Sequence, residues 1–332
     1  MPSLPKPRLR RATRELPATR PHAEPNVEVV SLDGLRWINI ERPGPADRAW
    51  LEEHFDFHPL DLEDVLSRNQ RPKIDEYDEY LFIVLHFPVF DPAVGRLNAG
   101  ELDIFVGQDF LVTIPNQPLQ PIEYLFERVR AKEELREQHF SKGSGYLLYR
   151  IVDDSFDYCF PMLRKIGNKL DAVEDEIFSG HSEEVVRDIS NVKQEIINFR
   201  KVVRPQRPVL RDLESVKQRF LAAREGEDLE IYFDDIVDAH ERIWDMLENY
   251  KEVVEGLDDT NESLISHRVN DILRILTVIS VTLLPLTLLA SIFGMNVRVP
   301  GEGSIAAFWI VVGAMIVMLA GLLALFRRRG WL

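Results

Sequence analysis

Two uncharged stretches near the C-terminus constrain this chain more than any other feature. From Ile275 to Val297, and again from Ile305 to Phe326, no residue carries a formal charge. A helix crossing the hydrocarbon core of a bilayer needs about 20 apolar residues, so each stretch is long enough. Either one alone would also suit the buried helix of a soluble protein, but two in tandem across a short connection favour a membrane hairpin. Arg268 and Arg274 precede the first stretch and Arg327, Arg328 and Arg329 follow the second, whereas the connection holds only Arg298 and Glu302. Positive residues stay on the cytoplasmic side, which puts both termini inside and the connection outside.

The rest of the chain is charged and soluble in character. Its net charge is −15, which disfavours a nucleic acid partner and favours cations. Cys159 is the only cysteine, so no intrachain disulfide is expected and a reducing compartment suits it. Residues 1–26 carry six prolines and no apolar core, and read as a disordered tail and not a signal peptide. Residues 27–140 read as a cytosolic α/β domain. In it "VEVVSL", "LRWINI", "YLFIVLHF", "ELDIFV" and "FLVTIP" are strand-like, and "GPADRAWLEEHF" and "PLDLEDVL" are short helices. Residues 141–268 read as a helical domain ending in an acidic stalk helix, with candidate helices over 121–138, 145–178, 183–203 and 208–222 before it. Residues 269–332 form the membrane hairpin, with spans at about 272–293 and about 305–326 and a basic tail.

The stalk helix is long. Ile236, His240, Ile243, Leu247, Tyr250, Val254, Leu257, Asn261, Leu264 and Arg268 recur at alternating spacings of 4 and 3, and no proline separates them from the first span. One helix from about Asp228 to Phe293 is predicted, roughly 100 Å long at 1.5 Å per residue. A sustained 3.5-residue repeat offers a face for partners, and self-association is the simplest source of them. Residues 225–262 carry fifteen Asp or Glu against two basic residues, almost the whole net charge of the chain. That is either a solvated face or, if copies stand side by side, a place where divalent cations bound to carboxylate oxygen relieve repulsion.

Inside the first span, a walk of threes and fours from Asn270 passes Leu273, Thr277, Ser280, Leu284, Thr287, Ser291 and Gly294. Of the five hydroxyl residues in the span only Thr282 falls off this line. Polar side chains at membrane depth face a water-filled path or a tight helix contact. Two helices cannot enclose a path, so a pore would need several subunits. Pro285 removes the hydrogen bond to the Val281 carbonyl and permits a bend.

The tripeptide Gly294-Met295-Asn296 ends this span, and a second span and a basic tail follow. With "NDILRILTVISVTLLPLTLLASIFGMN", the ending "FRRRGWL", "HPLDLEDVLSRNQRPKIDEYDEYLFIVLHF" and "YFDDIVDAHERI", this arrangement resembles the CorA family of magnesium transporters. The resemblance covers most of residues 55–332. It implies an α+β cytosolic domain followed by a long helical stalk and two C-terminal transmembrane helices, assembled as a funnel-shaped homopentamer in the cell (inner) membrane. Mg²⁺ is then substrate and regulatory ligand, with no cofactor. Asn296 would offer its side-chain oxygen, Gly294 its carbonyl, and Met295 would shape the turn of a selectivity filter. Asn270 and Thr287 match polar pore positions, Leu276 and Leu284 a hydrophobic constriction, and Ser280 and Ser291 complete the lining. Arg274 matches a basic position at the cytoplasmic mouth.

The resemblance also implies feedback by cytosolic Mg²⁺, held between protomers by Asp235 of one and Asp91 of the next, with Asp259 a further acidic position near the inner mouth. Two departures stand out. Phe293 replaces the family's usual Tyr, and the loop "VRVPGEGS" lacks the family's Met-Pro-Glu-Leu run. Co²⁺ or Ni²⁺ are possible secondary cargoes. The alternatives are a zinc transporter of the same superfamily, for which His54 and His58 are the only suggestive pair, and a membrane-anchored cation sensor without transport. No phosphate-binding loop, nucleophile elbow or metalloprotease motif points to an enzyme.

Overall fold

The computed structural model describes residues 24–67, 70–91, 95–179, 182–220, 229–295 and 304–331. Asn296, Arg298, Glu302 and residues 1–23 of the N-terminal tail lie outside them. The described chain divides into two compact units, residues 1–172 with 190–253, and residues 173–189 with 254–332.

The first unit is built on one six-stranded sheet. Strands β1 (Glu28–Leu32) and β2 (Leu35–Asn39) form a hairpin through Asp33 and Gly34, both at positive φ, the two-residue turn whose twist matches its strands. β3 (Lys73–Glu76), β4 (Leu81–Asp91), β5 (Arg96–Val106) and β6 (Phe110–Pro115) complete the order β1-β2-β6-β5-β4-β3. Only the β2–β6 pairing is parallel. β3 was not foreseen in the sequence. Its "KIDE" is polar and partly exposed, as an edge strand must be to discourage further pairing. β4 and β5 pair in unbroken register from Leu81 opposite Val106 to Asp91 opposite Arg96. That long hairpin carries Asp91 to its tip.

Both faces of the sheet are covered, which explains why β4 reads as a continuous apolar run. On one side lie the short helices α1 (Pro45–His54) and α2 (Pro59–Asp64), whose Leu51 and Leu62 pack with Ile38, Ile40, Phe82 and Phe105. Phe57 stacks on Phe105 with ring centroids 4.1 Å apart. Each such ring contributes about 1.5–3 kcal/mol by burial alone. On the other side Trp37 meets Phe126 edge to face at 4.9 Å and donates its indole N–H to Thr113 at 3.0 Å. Phe126 belongs to α3 (Gln120–Ala131), which leads into α4 (Glu133–Phe140) and α5 (Ser144–Asp157).

The helix expected over 145–178 is two helices. α5 stops at Asp157 and α6 (Cys159–Ser179) begins two residues later. Pro161 explains the break, because it has no N–H for the Asp157 carbonyl and suits a first helical turn. α7 (Ser182–Val203), a 3₁₀ turn (Arg204–Gln206) and α8 (Arg207–Phe220) follow. In the 3₁₀ turn, Gln206 accepts from the His86 N–H at 3.1 Å and donates to the His86 carbonyl at 2.6 Å, pairing with β4 where β3 has ended.

α9 (Leu229–Phe293) runs 65 residues without interruption, passing through Pro285. Its 3.5-residue repeat corrects one expectation. Ile236, His240, Ile243, Leu247, Val254, Leu257 and Asn261 are all buried in the single chain, with Ile243 and Leu247 wholly inaccessible. At these positions the repeat records packing of α9 within the chain, while Tyr250 and Leu264 are half-buried and Arg268 is exposed. In the second unit Val173, Ile177, Val185 and Ile189 from α6 and α7 are buried likewise, and α10 (Ile305–Arg328) completes it.

Candidate ion pathway

α9 and α10 are each apolar and long enough to cross a membrane. In the span of α9, the residues withdrawn from solvent are Val278, Thr282, Pro285, Leu286 and Leu289. Their spacings of 4, 3, 1 and 3 define one helical face. On α10 Ala307, Val311, Met315, Leu319, Leu322 and Phe326 are withdrawn at spacings of 4, 4, 4, 3 and 4, as are Val312 and Gly313 beside them. One face of each helix is thus the less exposed one.

The polar stripe lies on the other side. Asn270, Leu276, Ser280, Leu284, Thr287 and Ser291 are all exposed. At about 100° per residue their mean direction is roughly opposite the less exposed face. Leu284 is 69% and Leu276 57% exposed, values that leave both free to line something outside the hairpin. Thr282, the hydroxyl residue off the stripe, is buried on the less exposed face.

The hydroxyls of the stripe are oriented. Thr277 donates to the Leu273 carbonyl at 2.7 Å, and Thr287 donates to the Leu283 carbonyl at 2.9 Å. With their hydrogens committed to the helix, both side chains present oxygen lone pairs outward. An ion that keeps its hydration shell shows water hydrogens to its surroundings, so an acceptor-rich wall suits it.

At the C-terminal end of the apolar stretch α9 stops at Phe293. The Gly294 N–H still reaches the Ala290 carbonyl at 2.9 Å, and Met295 closes a looser turn on Ile292 at 3.4 Å. A Cβ at position 294 would lie 3.1 Å from the Ala290 carbonyl oxygen, so glycine keeps this turn close. Met295 is exposed, and Asn296, the next residue, is outside the described residues. At the N-terminal end of the apolar stretch Arg274 pairs with Asp271 at 3.5 Å, one turn away. Sequence reasoning missed Asp271.

The three acidic positions are separately placed. Asp235 is exposed near the start of α9, and its Oδ2 accepts from the Tyr149 hydroxyl at 3.3 Å. Tyr149 is held by ring contacts with Tyr146 and Tyr232. Burial, with Asp153 and Asp235 nearby, raises its phenol above the usual range. Asp153, also on α5, is pushed up to about 6 by burial, opposed by Arg150 and reinforced by Asp157, Asp235 and Asp154. The Asp235 position is therefore part of a shared acidic surface of α5 and α9, which no spacing rule reveals. Asp91 lines a cleft of about 730 Å³ with Asn98, Tyr158, Lys165 and Lys169, and its Oδ2 accepts from Asn98 at 3.4 Å. Asp259 is exposed on the part of α9 that belongs to the second unit. Among the described residues no three His, Cys, Asp or Glu converge as a metal site.

Relatives carry the same architecture. The cobalt/magnesium transport protein CorA of Thermotoga maritima is 29% identical over 300 residues, covering 89% of this chain and 83% of that protein. The cobalt/magnesium transport protein CorA of Methanocaldococcus jannaschii is 26% identical over 312 residues, covering 93% and 96%. The complete structure of the CorA magnesium transporter from that archaeon superposes with a TM-score of 0.78 at 24% identity, over 91% of this chain and 94% of that one. The fold is thus shared along nearly the full length, soluble domain, long helix and apolar hairpin together. The family described as CorA-like Mg²⁺ transporter protein matches residues 33–328, and this chain belongs to that family.

Proposed function

We propose that the chain assembles as a homopentamer in the cell (inner) membrane, both termini cytoplasmic, and conducts Mg²⁺ inward down its electrochemical gradient, with Co²⁺ or Ni²⁺ as secondary cargo. The observation that carries this reading is the division of labour on α9. One face of the span is partly withdrawn from solvent, and the opposite face, which carries outward-facing oxygens, is exposed in the single chain. Five copies around an axis would turn that face into a wall. Leu276 and Leu284 would form its hydrophobic constriction, which can close by dewetting. Asn270, Ser280, Thr287 and Ser291 would supply acceptors, and Gly294, Met295 and Asn296 the outer filter. Cytosolic Mg²⁺ bridging Asp235 of one subunit and Asp91 of the next, with Asp259 nearer the mouth, would favour the closed ring. Loss of that ion would release like-charge repulsion and admit open states.

Cysteine replacement tests the orientation. Cys159 is 1% exposed, so the native background reactivity is small. A charged, water-soluble thiol reagent should block Mg²⁺ uptake by Ser280→Cys and Thr287→Cys proteins at least tenfold faster than by Val278→Cys and Leu286→Cys. Equal protection of all four, or the reverse order, would refute the pore-lining assignment.

A further inference from the structure

Three polar atoms on one face of the β4–β5 ladder are buried without hydrogen-bond partners: His86 Nε2, Glu101 Oε1 and Asp103 Oδ1. The ladder sets their arrangement. His86 on β4 stands directly opposite Glu101 on β5, and Asp103 is two residues along β5 on the same face, opposite Val84. Two residues on, the Cα separation is about 6.6–6.8 Å, within reach of a shared hydrogen or one bridging water. Glu101 and Asp103 are each 2% exposed.

The donors nearby are already engaged. The Gln70 N–H donates to Glu101 Oε2 at 2.8 Å, and His86 Nε2 lies 3.5 Å from that same oxygen. Lys73 is held by Asp64 at 2.8 Å and Asp75 at 2.6 Å. Among the described residues no Lys or Arg is paired with either buried carboxylate, and His86 stands beside Glu101 alone. Two ionised carboxylates here would suffer burial and mutual repulsion together, and two oxygens would go unsatisfied. A metal ion is a poor remedy, because no three ligands converge among the described residues. A single hydrogen resolves the conflict: it converts one acid into a donor for the other.

We propose that Glu101 and Asp103 form a buried proton-binding site, with the proton carried on Asp103 and shared toward Glu101, and that its occupancy ties the β4–β5 ladder to the segment entering β3. The charged and titratable groups facing Asp103 are Glu101 on its own strand, Asp64 from α2 and Lys73 from β3, with His86 of β4 beside Glu101. Burial first, then Glu101 and Asp64, hold the Asp103 carboxyl well above the usual range, while Lys73 opposes them. The raised value fixes the sign of the effect. The folded chain keeps this proton to higher pH than the unfolded chain. The resulting stability is complete below the ordinary carboxylate range and is lost as pH rises through the folded value.

The test uses the full-length protein in detergent or lipid, with thermal unfolding followed from about pH 5 to about pH 9. Asp103→Asn supplies an amide donor toward Glu101 without needing a proton. Its melting midpoint should exceed that of the wild type by about 2–4 °C or more at the alkaline end and converge with it toward the acid end. Asp103→Ser, smaller and also a donor, should flatten the pH dependence in the same way if the Asn variant does not assemble. Infrared difference spectra should show a protonated-carboxyl band in the wild type at neutral pH that either variant lacks. Variants that keep the wild-type pH slope, or wild-type and variant spectra identical in that band, would overturn the proposal.

Discussion

Replacing Asn296 with alanine should abolish Mg²⁺ uptake into proteoliposomes while leaving the oligomer intact. The argument is one of repetition. Mg²⁺ sheds its water reluctantly, so a filter for the hydrated ion works through neutral oxygens that accept from the coordinated waters. A hydrogen bond to so polarised a partner is worth at least about 1 kcal/mol net. In a five-fold ring the substitution removes five together, about 5 kcal/mol, which is more than a thousandfold in rate. Alanine adds no bulk, and position 296 lies beyond the last residue of α9. Uptake within a factor of two of wild type, measured with a Mg²⁺-sensitive dye inside the vesicles, would remove Asn296 from the filter.

Asp235→Lys should shift inhibition by internal Mg²⁺ to concentrations at least about tenfold higher. The substitution deletes a hard oxygen ligand and puts an ammonium where a dication would bind. Two unit charges 4 Å apart interact by about 4 kcal/mol at an effective dielectric of 20, enough to prevent binding at that position. Tyr149 would lose its carboxylate partner, while the ring contacts that hold it to Tyr146 and Tyr232 would remain. The readout is the internal Mg²⁺ concentration that halves the initial uptake rate. An unchanged value would place regulation elsewhere on the chain, with transport itself unaffected by the result.

Local rules account for the parts of this chain that local pattern determines. β4 and β5 are readable because strands buried on both faces need unbroken apolar runs, and the β1–β2 turn is readable in Asp33-Gly34. The same logic hid β3, whose polar residues suit a sheet edge and resemble a loop. The long helix was legible in its unbroken repeat, but the repeat did not say what covers it. His240 reaches the Val203 carbonyl of α7 at 3.0 Å and Asn261 is buried within the chain, so a heptad can serve the chain's own packing as well as a second copy. In the span, hydroxyl spacing picked out a line, and the opposite face proved to be the less exposed one. Tyr149 beside Asp235 and His86 opposite Glu101 were invisible, because 86 and 15 residues separate those partners in sequence and only the tertiary fold brings them together. The filter reading remains a matter of motif, since Asn296 lies outside the described residues.

The measurement closest to the central claim is Mg²⁺ flux through the purified wild-type protein in liposomes, with a negative-inside potential imposed and no pH gradient. The account predicts rapid Mg²⁺ entry that depends on the potential, falls as Mg²⁺ accumulates inside, and scales with the amount of intact oligomer. A correctly assembled oligomer that passes no Mg²⁺ under that potential, or passes it only when a proton gradient is supplied, would contradict a passive path lined by the exposed face of α9.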